Sequence, residues 1–213
     1  MKRISLLIIG FLAIVITTLQ AQVDFGVRFG VSYSALTQRI DEGYVSGGKA
    51  GFSIAGLADI PIYKGLSFRP EVAYLHQGGN YYSQPVLSEM AAYNKYKYYS
   101  IQIPLDLAYT FNVSDIRLSV YAGPALDFSL FGKMKTRDND IESNIQFGAE
   151  KEKNLRTFDL GVKVGLAVEY SKFFFSIDAI CGTLDRRPVK RDGESKLLQN
   201  NITFSLGYFF RKD

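Results

Sequence analysis

Residues 98–130 carry the clearest pattern of apolar and polar positions in the chain. Tyr99, Ile101, Ile103, Leu105, Leu107, Tyr109 and Phe111 recur at every second position, with Ser100, Gln102, Asp106 and Thr110 between them. Asn112, Val113, Ser114 and Asp115 break the series. It resumes with Ile116, Leu118, Val120, Ala122, Leu126 and Phe128, set against Arg117, Ser119, Tyr121, Asp127 and Ser129. Successive side chains of a strand point to opposite faces, so two alternating runs about a short polar break predict an antiparallel hairpin. Both runs exceed the roughly 5–6 residues usual for globular strands. They suit the roughly 9–11 residues with which a tilted strand crosses a bilayer.

The same period recurs in 23–34, 49–60, 66–76, 154–170, 173–182 and 200–210. In the first of these Val23, Phe25, Val27, Phe29, Val31 and Tyr33 alternate with Asp24, Gly26, Arg28, Gly30 and Ser32. The connections also alternate in length. Those at 61–65, 112–115 and 171–172 are short; those at 35–48, 77–96, 131–153 and 183–199 are long. This pattern predicts an all-β fold: an eight-stranded antiparallel up-and-down transmembrane β-barrel with short periplasmic turns and long extracellular loops. A soluble periplasmic lipocalin-like barrel is the structural alternative, with its apolar series turned inward around a ligand. The large aromatic side chains of the apolar series favour lipid outside. The Gly, Ser and Ala of the polar series favour a narrow lumen.

The N-terminus changes the domain count. Lys2 and Arg3 precede an apolar run over 4–17, and Ala21 offers a small residue at a cut. The run is short for a spanning helix of about 20 residues. It predicts a signal peptide over 1–21, followed by one barrel domain over 22–213, exported to the outer membrane of a Gram-negative bacterium. Losing Lys2 and Arg3 removes two of the charges behind a formal net charge of +4. The exported chain is then nearly neutral, and nucleic acid is not an expected partner. The single cysteine, Cys181, falls in an apolar series and cannot form an internal disulfide. With no Trp in the chain, an interfacial belt would be made of Tyr and Phe.

The polar series predicts what fills the barrel. Arg28, Asp59, Arg69, Glu71, Asp106, Arg117, Asp127, Asp159, Lys163, Glu169 and Asp178 should point inward together with Asp24. Eight strands leave an interior just wide enough for side chains. Unpaired buried charge is costly, so these groups should pair and close the lumen. In the long connections Tyr81, Tyr82, Tyr93 and Tyr96 are candidate contacts, being of a type enriched at binding hot spots. Arg186, Arg187, Lys190 and Arg191 are candidate contacts for the phosphates of lipopolysaccharide, whose geometry suits Arg. A solvated charged loop is the simpler account of that basic run. The expected partners are therefore outer-membrane lipid, lipopolysaccharide, and an envelope protein or glycan met by the loops.

The chemistry of catalysis is thin. His76 is the one histidine, and an outer-membrane lipid-modifying enzyme would use it with Ser83, Ser88 or Glu89. No spacing fixes such a triad. Asp138, Asp140 and Glu142 lack the glycine of a calcium-loop template, and there is no Cys/His cluster. Neither an enzymatic role nor a metal or cofactor is expected.

Several segments together resemble the PorT-like outer-membrane β-barrel proteins. They are Phe25-Gly26-Val27-Arg28-Phe29-Gly30, Phe68-Arg69-Pro70-Glu71-Val72-Ala73-Tyr74, and Ile101-Gln102-Ile103-Pro104-Leu105 leading to Ala108-Tyr109. Tyr121-Ala122-Gly123-Pro124, Phe158-Asp159-Leu160-Gly161 and Ser205-Leu206-Gly207-Tyr208-Phe209-Phe210 complete the likeness. The resemblance implies an outer-membrane barrel. Its namesake serves a protein secretion system, and most relatives have no assigned role. One departure stands out: such barrels commonly end on an aromatic residue, whereas Arg211, Lys212 and Asp213 follow Phe210 here.

Overall fold

The computed structural model describes residues 23–40, 43–82, 93–136, 142–189 and 195–211. The segment expected to be a signal peptide lies outside them. Among the described residues nine strands form one sheet: β1 (Asp24–Ile40), β2 (Gly43–Tyr63), β3 (Leu66–Tyr82), β4 (Tyr93–Val113), β5 (Ile116–Thr136), β6 (Glu142–Asn144), β7 (Phe158–Tyr170), β8 (Phe173–Gly182) and β9 (Leu198–Phe209). β1 pairs with β9 and β4 with β5, so eight strands close into an antiparallel barrel. β6 is added to the upper edge of β5, where β7 has already ended.

Three tight turns lie at one end. Lys64 and Gly65 both take positive φ, 36° and 87°, as a type I′ hairpin turn requires. Ser114 and Ser171 also take positive φ, at 55° and 58°, each as the one such residue of its turn. The expected turn at 61–65 is therefore only its last two residues, with 61–63 continuing β2.

The outer face is apolar over the central part of the barrel. Phe25, Phe29, Val72, Leu107, Leu166 and Leu206 are all exposed there, Leu206 at 70%. The inward face carries the charged series, buried. That arrangement excludes the lipocalin-like alternative, whose interior would be apolar.

The structure corrects the lengths of the strands. The segments 35–48, 77–96 and 131–153 were expected to be loops. β1 and β3 are 17 residues long, and β2, β4 and β5 are 21. Five strands thus run well past the membrane as a crown. Polarity inverts there. On β4, Ser100, Gln102 and Asp106 face inward below, and Tyr98 and Tyr96 face inward above, while Lys97 turns outward. Leu36, Tyr96, Tyr98, Ile145, Leu155 and Leu197 form a small apolar core inside the crown, with Met134 and Phe147 packed against it. Water, not lipid, surrounds this part, so apolar groups gain by pointing in. Lipid below imposes the reverse. A search for one constant face therefore loses the strand where the surroundings change.

On β5 the change needs a register shift. Tyr99 pairs with Phe131 but Ser100 with Ser129, leaving Leu130 as an extra residue. This β-bulge puts Leu130 and Phe131 both on the outside. Above it Met134 turns inward and Lys133 outward.

Candidate functional site: the filled lumen and its crown

The inward charges form three tiers. In the middle, Lys163 Nζ lies 2.9 Å from Asp106 Oδ2, 3.2 Å from Glu71 Oε2 and 3.7 Å from Asp178 Oδ1. Arg28 bonds Glu71 at 2.7 Å, pairs with Asp178, and reaches Ser176 Oγ at 3.2 Å. The Tyr121 hydroxyl also donates to Asp178. Room for the Tyr121 ring comes from Gly165, where an added Cβ would lie 2.3 Å from it. Burying these charges is costly in isolation, and their mutual pairing offsets the cost.

Nearer the short turns, Arg69 donates to Asp59 through Nε and Nη2 at 3.3 and 3.2 Å. Its guanidinium stands 5.8 Å from the Phe209 ring centre. Arg211 closes this end, with Nε 2.5 Å from Asp24 Oδ2, Nη2 3.3 Å from Asp59 Oδ2, and Nη1 paired with Glu169. Arg211 was missed as a lumen residue. The signal was available: Asn201, Thr203, Ser205, Gly207 and Phe209 face inward, and Arg211 is the next position in that period. The charged residue after the last aromatic is thus part of the barrel interior. Arg117 reaches Glu169 at 3.5 Å, but its side chain is 38% exposed at the rim.

Those two environments separate two substitutions. Arg69→Met should cost about 3 kcal/mol, because it removes both bonds of Arg69 to a buried carboxylate and leaves Asp59 the one contact with Arg211, which Asp24 and Glu169 share. Arg117→Met should cost less than about 1 kcal/mol, since an exposed ion pair is screened and Glu169 keeps Arg211. Urea unfolding of the reconstituted barrel reads both, and equal midpoints would contradict the assignment.

Toward the crown, Asp127 Oδ2 accepts from Gln77 at 3.0 Å, Ser100 at 3.1 Å and Gln102 at 3.2 Å. Asp159 stands beside it in register. The charge of Arg186 acts on both without a hydrogen bond to either carboxylate. Arg186 and Arg187 were expected as exposed loop residues, either solvated or in contact with lipid phosphate. Instead Arg186 is fully buried, donating from Nη2 to Ser129 Oγ at 2.7 Å and lying 5.7 Å from the Tyr98 ring. Arg187 is buried on Asp185 Oδ2 at 3.0 Å and on the Ser195 carbonyl. Burial raises the Asp185 carboxyl. Hydrogen bonds from the Arg187 side chain and from the Arg187 and Leu197 N–H groups outweigh it and leave the pKa lowered.

The connection from β8 to β9 is held across the mouth by its backbone. Arg186 N donates to Leu197 O at 2.9 Å and Arg156 N to Arg186 O at 2.8 Å. Tyr96, expected as a loop contact, is buried in the crown core. Tyr81, Tyr82 and Tyr93 belong to β3 and β4, where Tyr82 pairs with Tyr93; their side chains lie outside those described. Lys190 and Arg191 lie outside the described residues, as do Asp138, Asp140, Ser83, Ser88 and Glu89. Two lumen cavities, lined by Arg28, Lys163 and Tyr121 and by Asp127, Asp159 and Gln199, are each about 10 Å³. Each is no larger than a single water.

His76 points outward. Its ring centre is 5.0 Å from Tyr99 and 6.0 Å from Phe52, and Phe131 follows 5.1 Å beyond Tyr99. A second outward group, Tyr109 and Phe111, lies 4.8 Å apart toward the short turns. Tyr99 and Tyr109 are ten residues apart on β4. At roughly 3.3 Å per residue and about 40° of tilt, that is about 25 Å, the height of the apolar band in outer-membrane barrels. Two aromatic girdles therefore bound the band. Among the described residues, no helix is long and apolar enough to cross a membrane, and no group of three or more His, Cys, Asp or Glu is placed to hold a metal.

The family model described as "Outer membrane protein beta-barrel domain" matches residues 20–182. The chain belongs to this family. The outer-membrane barrel is similar to several solved structures, all at low identity. Neisserial surface protein A is 14% identical, with 88% of this chain and 98% of that one covered and a TM-score of 0.46. Ail of Yersinia pestis, solved with the heparin analogue sucrose octasulfate, is 10% identical, with 89% and 99% covered and a TM-score of 0.44. The outer-membrane enzyme PagL is 11% identical, with 83% and 98% covered and a TM-score of 0.43. Among curated proteins no sequence matches the chain.

Proposed function

We propose that this outer-membrane barrel is a non-enzymatic display protein, its lumen closed to solutes and its crown the surface offered to an envelope protein or glycan. The observation that carries the proposal is the inverted polarity of the crown. Leu36, Tyr96, Tyr98, Ile145, Leu155 and Leu197 give the segment above the membrane a core of its own. Binding residues commonly sit on the connections that a rigid scaffold of that kind carries. The charges inside are paired with one another rather than arranged around a substrate space. His76 stands in the outward aromatic girdle. The resemblance to PorT-like proteins supports a place beside them within the family, without carrying over the namesake's secretion role.

The test replaces the connections 41–42, 83–92 and 137–141, one at a time, with short Gly-containing turns in the full chain. Each variant should still insert and show a heat-modifiable shift, while in-envelope crosslinking to a partner disappears for at least one. The intact protein should show no stable conductance in planar bilayers. Crosslinks unchanged in every variant, or stepwise porin-like conductance, would overturn the proposal.

A further inference from the structure

We propose that Lys95, Lys97, Lys133 and Lys135 form a site on the outer wall for the phosphate groups of an anionic glycolipid in the outer leaflet. The four come from adjacent strands in direct opposition, Lys97 facing Lys133 and Lys95 facing Lys135. Directly opposite residues of an antiparallel pair hold their Cβ atoms about 5 Å apart, and like charges so placed repel. The bulge at Leu130 creates this opposition. Without the extra residue, Gly132 and Met134 would take the outward positions of β5. A register shift thus places four lysines at opposed positions on the outer wall.

Their height fits a headgroup. Lys97 and Lys95 lie two and four residues above Tyr99, or about 5 and 10 Å above the girdle at the same rise and tilt. Directly below are the rings of Tyr99, Phe131 and His76. Phosphate above and an acyl chain below is the shape of an amphiphile, which selects a lipid over free phosphate. Gly78 stands opposite Lys97 on β3, so no side chain crowds that flank.

One carboxylate already samples the site. Glu142 Oε2 lies 3.0 Å from Lys133 Nζ, with the two side chains 54% and 65% exposed. Its carboxyl is held below the usual range by the Lys133 hydrogen bond and by the charges of Lys133, Lys135 and Lys97. Lys133 thus holds Glu142 directly, while the charges of Lys135 and Lys97 act on the same carboxylate. A bridge so open to water is weak and exchangeable, and a lipid phosphate can take its place. Arg186 and Arg187 are turned inside and do not compete for this role. The site does not depend on whether the crown binds a partner.

The experiment uses the full barrel in detergent micelles, titrated with fluorescent diphosphoryl lipid A, its dephosphorylated counterpart, and inorganic phosphate as competitor. A K95Q/K97Q/K133Q/K135Q variant should bind diphosphoryl lipid A roughly tenfold or more weakly than the wild type, as neutralising several lysines at an anionic surface would. Arginine at all four positions should retain binding. Raised salt should narrow the difference. The dephosphorylated lipid should bind both proteins alike. A K97Q/K133Q variant serves if four substitutions impair insertion. Equal affinity in a variant that keeps its heat-modifiable shift would overturn the site. So would the same loss with dephosphorylated lipid. Displacement by micromolar inorganic phosphate would make it a free-anion site and overturn the lipid assignment.

Discussion

Lys163→Met should lower the unfolding free energy of the reconstituted barrel by about 3–5 kcal/mol, the cost of breaking a buried ion pair from one side. Lys163 touches three carboxylates, those of Glu71, Asp106 and Asp178. Its removal leaves Arg28 to serve Glu71 and Asp178. Asp106 then loses the cation it faces in this tier. The double variant Lys163→Met with Asp106→Leu removes one charge of each sign and should recover most of the loss, because apolar replacement of a buried pair is often neutral. Urea titration followed by heat-modifiable mobility measures both variants. A single substitution within about 1 kcal/mol of wild type would mean that these charges are solvated rather than paired.

Arg186→Met should cost about 3 kcal/mol, as much as Arg69→Met, with a local consequence that the other substitutions lack. Arg186 supplies the positive charge beside Asp127 and Asp159. The three hydrogen bonds to Asp127 remain and moderate the loss. The same residue ties the β8–β9 connection to the segment before β7 through its backbone bond with Arg156, and closes the connection on itself at Leu197. Without the side chain as an anchor, that connection should detach from the mouth. Protease added to intact cells should then cut within 183–197 while the barrel stays resistant. Arg186→Lys keeps the charge but not the planar fork, and should fall between the two. Wild-type protease resistance in Arg186→Met would show that the backbone bonds hold the connection unaided.

The interior of the barrel was legible in the sequence to a fair depth. Arg28, Asp59, Arg69, Glu71, Asp106, Asp127, Asp159, Lys163, Glu169 and Asp178 are all buried, as their alternation with apolar positions implies. Period alone shows that two residues share a face. It does not show which opposite charge each will meet across the lumen, since Lys163 and Glu71 are 92 positions apart. Arg211 was within reach by the same count of two. Arg186 lay beyond reach, because a loop residue carries no period to say whether it turns in or out.

By itself the sequence determined an eight-stranded barrel, its short-turn end, and an outer apolar face with an inner charged one. Those follow from local rules: two faces per strand, a turn at each break, and lipid as the surrounding solvent. Only the tertiary structure decided how far the strands run and where their polarity inverts. Tyr96 and Tyr98 face inward on the same strand side as Gln102 and Asp106. The side is one, but the solvent outside changes from lipid to water between them, and with it which chemistry belongs within. The bulge at Leu130 was likewise decided by pairing with β4, and it alone turns Lys133 and Lys135 outward. A single extra residue flips every side chain beyond it to the other face, which no property of that residue itself announces.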